Sequence, residues 1–468
     1  MVLLVHPPLR HLFSRGQPAY YFQEQGAFPP LGLLSVAAYL RKHTELPVEV
    51  VDLRVAGLDD RQFQSWVRRV RPAVVGITCL THYLFDALRT ARLVKQAYPS
   101  AAVVLGGHHT SLYPMETLEQ PEVDAIVLGA GERAFAELVG EVARTGRLSR
   151  RPGVLRPGDE ATDPSLEIQS VADLDELPFP DRRLVPVEGY QYAVARRRVC
   201  SVMMTSIGCR YRCTFCDARG GQTRYRSAAK VVEEMAECAR LGIEEILIQD
   251  ENFASDRARV LAIADDLASR ALPLVWSFET RVDHIDREIA RAVRRAGCYS
   301  IHFGVESGSA EILARIRKGI TLDQIRSVFS MLREEKIVTT ASFIIGLPGE
   351  RRSHVRRTVE LAKQLRPAYV QFAMAIPLPG TPMYEEALER GLLEGDPWRE
   401  FARHPTADFE PPGWYENFTR GELEQLLHQA YRSFYLRPGY VLRRLGELSS
   451  FRSLLQHARI GARIVRRR

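Results

Sequence analysis

The chain has 468 residues, 46% of them hydrophobic, and a formal net charge of +7. That length asks for two or three domains, each with its own core, and no apolar run approaches the roughly 20 residues of a membrane span. The opening Met1–Val5, followed by His6-Pro7-Pro8, lacks the cationic head and cleavage site of a secretory signal, so the chain is expected in the cytoplasm.

Over residues 1–145 short apolar runs alternate with amphipathic stretches, the pattern of a parallel α/β sheet. Strands are predicted at Val2–Val5, Val48–Asp52, Ala73–Ile77, Ala102–Leu105 and Ala125–Leu128. Helical patterns lie near Leu31–Lys42, Arg61–Arg69, Phe85–Ala97 and Glu132–Ala143. The result reads as a doubly wound, flavodoxin-like (Rossmann-type) α/β unit, which binds ligands at the carboxyl ends of its strands. Those ends carry His6-Pro7-Pro8, Thr78-Cys79, Gly106-Gly107-His108-His109 and Gly129-Ala130-Gly131-Glu132. Glycine lets backbone approach a bulky ligand, and a helix start offers N–H groups to an anion. Each loop alone reads as a turn; four on one sheet edge read as a binding site. Residues 146–198, rich in Pro, Arg and Asp, read as a linker that wraps against both flanking domains.

A second α/β series spans residues 199–385. Strands are predicted at Val202–Thr205, Glu245–Ile248, Leu274–Phe278, Ser300–Gly304, Ala341–Ile345 and Val370–Ala373. Six β/α units make a partial barrel, not a closed eightfold one. Residues 386–468 read as a small, mainly helical, basic domain. From Tyr431 onward there are ten arginines against one acid, Glu447. Their roughly helical spacing fits peripheral contact with an anionic membrane and equally a helix pair that caps a domain. No RNA-binding module is recognisable, so no nucleic-acid partner is expected.

Seven cysteines stand at 79, 200, 209, 213, 216, 238 and 298. A reducing compartment argues against disulfides and favours a metal site for the three that crowd together. Cys79 and Cys298 sit at apolar strand ends and Cys238 inside a helix, and all three read as small buried residues. The segment Gly208-Cys209-Arg-Tyr-Arg-Cys213-Thr-Phe-Cys216-Asp217 follows the first barrel strand. Three thiolates on one short loop reach three irons of a 4Fe–4S cubane and leave the fourth iron open. Phe215 would cover the cluster from water. A zinc knuckle needs a fourth ligand, and no further Cys or His lies close by in the chain.

The C-x-x-x-C-x-x-C spacing with an aromatic before the last Cys resembles the radical S-adenosylmethionine (SAM) superfamily. The surrounding text resembles its cobalamin-binding subgroup, related to the anaerobic magnesium-protoporphyrin ester cyclase and hopanoid-modifying enzymes. The matching pieces run in order: Pro29-Pro-Leu-Gly32, Gly106-Gly-His-His109, Leu177-Pro-Phe-Pro-Asp181, Arg224-Tyr-Arg-Ser227, Asp250-Glu-Asn-Phe253, Gly304-Val-Glu-Ser-Gly-Ser309, Lys318-Gly319, Ile345-Gly-Leu-Pro-Gly-Glu350 and Pro377-Leu-Pro-Gly-Thr-Pro382. The late Tyr431-Arg-Ser-Phe-Tyr-Leu-Arg-Pro438 also matches.

The resemblance implies that SAM chelates the open iron and is cleaved to a 5′-deoxyadenosyl radical, with an electron donor such as flavodoxin or ferredoxin. It implies SAM contacts from Phe215, Glu306, Ser307, Arg281, Ile345 and Gly346. Two of these have plain alternatives: Arg281 could pair with Asp283, and Glu306 could cap the helix beginning at Ser309. It also implies cobalamin held by Thr78, Gly106, Gly107, His109 and Gly129. The D-x-H-x-x-G motif is missing, so no histidine is expected beneath cobalt. His108 stands where relatives more often have Pro. The leading function is methylation of an unactivated carbon in a lipid or other small metabolite. The alternatives are radical cyclisation, oxidation or rearrangement without methyl transfer, and a non-catalytic iron–sulfur or cobalamin sensor.

Overall fold

The computed structural model describes residues 1–13, 26–160, 173–192, 195–218 and 220–446. The first sheet contains β1 (Val2–His6), β3 (Val48–Asp52), β4 (Val74–Thr78), β5 (Ala102–Gly106), β6 (Ala125–Val127) and β7 (Val154–Leu155). Its order is β3-β1-β4-β5-β6-β7. The first five strands are parallel, as expected, and β1 registers Val2 against both Val48 and Val74. Every side chain of β1 is buried, because helices cover both faces of a doubly wound sheet. The sequence analysis did not include β7; it is a two-residue antiparallel strand, too short to carry a period.

A two-stranded ladder joins β2 (Gly26–Ala27) to β8 (Gln191–Tyr192). The second large sheet contains β9 (Cys200–Met203), β12 (Glu245–Ile248), β13 (Val275–Thr280), β14 (Cys298–Glu306), β15 (Val338–Ile345) and β16 (Tyr369–Met374). All neighbours are parallel, and β9 and β16 are the two edges. This is the expected partial barrel. An antiparallel ribbon, β10 (Ser206–Ile207) with β11 (Arg224–Tyr225), rises from the end of β9. The first barrel strand ends two residues earlier than expected, because Thr205 turns aside to meet Asp250.

Open edges invite mispairing, and both edges are covered here. Along β9 lies Arg182 of the linker, which donates to the Val202 carbonyl (2.8 Å), Ser201 Oγ (3.2 Å) and Glu234 Oε1 (2.8 Å). Arg182 is 2% exposed. Its neighbour Asp181 pairs with Arg41 on the helix Leu31–His43 of the first unit. Asp181 and Arg182 thus contact a helix of the first unit and a strand of the second. Along β16, the hydroxyls of Tyr431 and Tyr435 each bond the N–H and carbonyl of one strand residue, Phe372 and Val370 respectively.

That second contact favours the domain-capping alternative for Tyr431–Tyr435, the first residues of the basic tail. The helix Arg420–Tyr435 buries Leu423, Leu427, Tyr431 and Phe434 against the barrel. Its apolar face is already occupied, so it caps a domain. The next helix of the tail, Pro438–Gly446, leaves Val441 and Leu442 exposed, and residues 447–468 lie outside the described residues. Among the described residues no helix is long and apolar enough to cross a membrane.

Breaking a buried ion pair costs about 3–5 kcal/mol. Arg182→Ala should lower unfolding stability by that order, read as a fall in the urea midpoint. Arg182→Lys should recover little, since an ammonium cannot reproduce the planar fork.

Candidate functional site

The site begins at the neck of the cysteine loop. Asp250, at the end of β12 and 1% exposed, accepts from Thr205 N (2.6 Å), Thr205 Oγ1 (2.5 Å) and Ser206 Oγ (2.7 Å). Burial pushes its carboxyl up, and these bonds together with nearby Arg259 pull back toward the carboxylate. Arg259 donates to the carbonyls of Thr205 (2.9 Å) and Arg226 (2.7 Å), on the two sides of the neck. Gly208 then starts the loop at φ +89°, where a Cβ would lie 2.9 Å from the Gln222 carbonyl oxygen. Only glycine fits so close a crossing.

Within the loop, Cys213 is buried and Cys209 and Cys216 are half-buried. Thr214 clips the far side, its N–H donating to Ile316 and its carbonyl accepting from Met383. All three thiols line one cavity of about 570 Å³ inside the partial barrel. Burial pushes the Cys216 thiol up to about 12. It raises Cys213 as well, against the opposing pull of Lys318 and Arg281. Such thiols give up protons when metal binds. Among the described residues no group of three or more His, Cys, Asp and Glu side chains is arranged to grip a single ion. Three thiols spread along one wall of a roomy cavity, and not gathered with a fourth ligand around one point, suit an iron–sulfur cubane with one open iron better than tetrahedral zinc.

Phe215, Arg281 and Glu306 line this cavity, as expected. Glu306 does not cap a helix: it pairs with Lys318 Nζ at 2.7 Å, with both side chains 8% exposed. Gly304 makes room for that pair, since a Cβ there would lie 2.5 Å from Glu306 Oε1 and 2.9 Å from Lys318 Nζ. Arg281 does pair with Asp283, through Nε and Nη2 at 2.9 Å each. Its buried Nη1 still has no partner in the protein.

The other three expected SAM contacts do not reach the cavity. Ser307 is fully buried, 3.3 Å from Thr358 Oγ1 and accepting from Ser309 N. Ile345 is fully buried on the opposite face of β15 from Ser342, as strand alternation requires. Gly346 donates its N–H to Glu350 behind the strand end.

The sequence analysis missed a polar row on the inner wall. Glu279, His302, Ser342 and Gln371 stand on four adjacent strands, all facing the cavity. They are linked at 3.4 Å, 2.7 Å and 3.3 Å in turn. Burial pulls the His302 pKa down, but the Glu279 charge and hydrogen bond outweigh it and the net shift is upward. The signal was present as polar residues at period two within strands taken as buried runs.

A second cavity of about 250 Å³ lies at the carboxyl edge of the first sheet. Thr78, Gly106, Gly107 and Gly129 line it, as expected, beside Leu4, Val104 and Phe135. His109 does not. It is fully buried beneath the edge, with Nδ1 3.0 Å from Thr81 Oγ1 and its ring against Tyr113. Burial holds it neutral, with its pKa lowered to about 3. His108 points the other way, 3.6 Å from Asp217 of the cysteine loop. The roof of this cavity comes from beyond the first unit: Leu174 and Leu177 of the linker, and Ile207 and Arg224 of the β10–β11 ribbon. Such a lining, mostly apolar and with six glycines that let a ligand approach the backbone, suits a bulky ligand with a large apolar surface.

Asp250→Ala leaves Thr205 N, Thr205 Oγ1 and Ser206 Oγ without their acceptor. In the metal-free protein, Cys209, Cys213 and Cys216 should then react several-fold faster with a thiol reagent, measured as a labelling rate. Cys79 and Cys298, buried far from the neck, should not change.

Family models match in two places: the radical SAM superfamily over residues 203–362 and the B12 binding domain over residues 24–139. The chain is 32% identical to an uncharacterized methyltransferase, PH0819, of Pyrococcus horikoshii, over 96% of this chain and 95% of that one. It is 27% identical to the anaerobic magnesium-protoporphyrin IX monomethyl ester cyclase of Rubrivivax gelatinosus, over 94% and 78%. Its fold is similar to that of the cobalamin-dependent SAM radical enzyme OxsB, solved with aqua-cobalamin and SAM bound. The TM-score is 0.72 at 18% identity, over 99% of this chain and 71% of OxsB. With the two cavities and the three-cysteine loop in view, the chain belongs to the cobalamin-dependent radical SAM family and is an enzyme whose cofactors are a 4Fe–4S cluster, SAM and cobalamin.

Proposed function

We propose that this enzyme methylates an unactivated carbon of a small-molecule or lipid substrate. The observation that supports this most is the shared neck: Ile207 and Arg224 roof the first-sheet cavity, and the loop between them presents the three thiols to the barrel cavity. A methyl carrier and a radical source held on either side of one ribbon can address one substrate carbon. When bound, the cluster and SAM supply a hydrogen-abstracting 5′-deoxyadenosyl radical and cobalamin supplies the methyl group.

The protein's own part is to bind, orient and exclude water. Cys209, Cys213 and Cys216 hold three irons. The Lys318 ammonium and the unpaired Arg281 Nη1 suit a carboxylate, and Glu306 and Glu279 suit an ammonium or ribose hydroxyls. Phe215 shields the cluster side of the cavity. Thr78, Gly106, Gly107 and Gly129 hold the corrin edge or tail. His109 is withdrawn into the core and does not line this cavity. A cytoplasmic location, and an electron donor such as flavodoxin or ferredoxin, follow from this reading. Radical cyclisation is the second reading, favoured by the likeness to the anaerobic cyclase.

The two readings differ in products. Methylation should release S-adenosylhomocysteine together with 5′-deoxyadenosine under reducing, anaerobic conditions, whereas cyclisation yields no S-adenosylhomocysteine. Cys213→Ala should lose the brown cluster absorbance and all SAM cleavage. At Gly106 an added Cβ meets only Val127, at 3.7 Å, so Gly106→Leu should fold, keep its cluster and lose at least tenfold in cobalamin affinity by absorbance titration.

A further inference from the structure

We propose that Tyr211 is a positioning residue: it pins the spacer between Cys209 and Cys213 to Arg281 and His284, and so helps set the reduction potential of the cluster. The inference rests on the cluster reading above.

Tyr211 lies midway between two of the cluster cysteines, and its ring lines the same cavity as the thiols. The Arg281 guanidinium sits over that ring, 3.7 Å from its centroid. A guanidinium stacks on an aromatic face and is attracted by its quadrupole. Asp283 chelates the other edge of the guanidinium at 2.9 Å twice, so the plane is fixed. The Arg281 backbone is fixed as well: Asn252 Oδ1 accepts from its N–H at 3.3 Å and from Thr280 Oγ1 at 2.8 Å.

The phenol makes the second attachment. Tyr211 Oη lies 2.5 Å from His284 Nε2, and His284 Nδ1 lies 3.1 Å from the Ala254 carbonyl oxygen. A carbonyl only accepts, so Nδ1 carries the proton and a neutral His284 accepts from the tyrosine at Nε2. The cysteine loop is thus tied to the turns that follow β12 and β13. A stack chosen only for packing would not use a cation, whose burial is costly without a negative charge to face. Asp283 answers part of that charge. The thiolate-held cluster, facing the same cavity, answers the rest. A fixed cation beside the cluster favours its reduced, more negative state.

The test is an anaerobic redox titration, followed by electron paramagnetic resonance, of the full chain reconstituted with iron and sulfide and without SAM. Arg281→Gln and Tyr211→Leu should move the midpoint to more negative potential by at least tenfold in the reduction equilibrium, about 59 mV for one electron. Arg281→Lys, which keeps the charge, should recover most of the shift seen in Arg281→Gln. Tyr211→Phe keeps the stack and loses the bond to His284, so it should fall between wild type and Tyr211→Leu. It also decides the matter if Tyr211→Leu loads no iron. Cluster-loaded variants with the wild-type midpoint would overturn the proposal while leaving the cluster reading intact. A wild-type chain that assembles no cluster would instead remove the reading beneath it.

Discussion

Everything in this molecule that bears on chemistry depends on one buried carboxylate. Asp250 receives three hydrogen bonds from Thr205 and Ser206, and Arg259 holds the carbonyls on either side of the same neck. A buried carboxylate is tolerated only when such partners answer it. The partners in turn leave the backbone after β9 no freedom to continue as a strand. The chain must rise into the β10–β11 ribbon and carry the cysteines over the barrel mouth. A loop that has to present three ligands within tenths of an ångström needs this kind of root, because loops left to their own entropy do not hold geometry.

The same ribbon joins two sites that would otherwise be independent. Its outer residues, Ile207 and Arg224, close the cavity of the first unit, and the loop it bears opens into the second. The linker adds a further bond between the halves, with Asp181 on Arg41 and Arg182 along β9. The electrostatics follow the same division of labour. The first cavity is lined mainly by aliphatic side chains and glycine backbone. The second combines Lys318 and Arg281 with Glu279 and Glu306, and so can answer both ends of a zwitterion.

Much of this was legible in the sequence. Hydrophobic alternation located all five parallel strands of the first sheet and the six of the second, because parallel strands covered on both faces are written as compact apolar runs. The cysteine spacing located the loop, and the glycines at strand ends located the first cavity. What stayed hidden is side-chain direction near strand ends. Ser307, Ile345 and Gly346 adjoin residues that face the cavity, yet themselves turn into the core or behind the strand. One residue along a strand reverses the face. His109 was expected at the cavity and is not there for the same kind of reason: it follows two glycines at a ligand edge, but a short helix turns it inward while His108 faces out. The row from Glu279 to Gln371 is assembled from four strands, so each strand showed only its own polar alternation and none showed the row.

The central claim is that three protein thiolates hold a cubane whose fourth iron is left for SAM. It is tested most directly by the electron paramagnetic resonance spectrum of the anaerobically reconstituted, dithionite-reduced chain before and after SAM is added. The account predicts a reduced 4Fe–4S signal whose shape changes on addition, as the amine and carboxylate of SAM take the open iron. Zinc in place of iron, or a cluster signal indifferent to SAM, would contradict it.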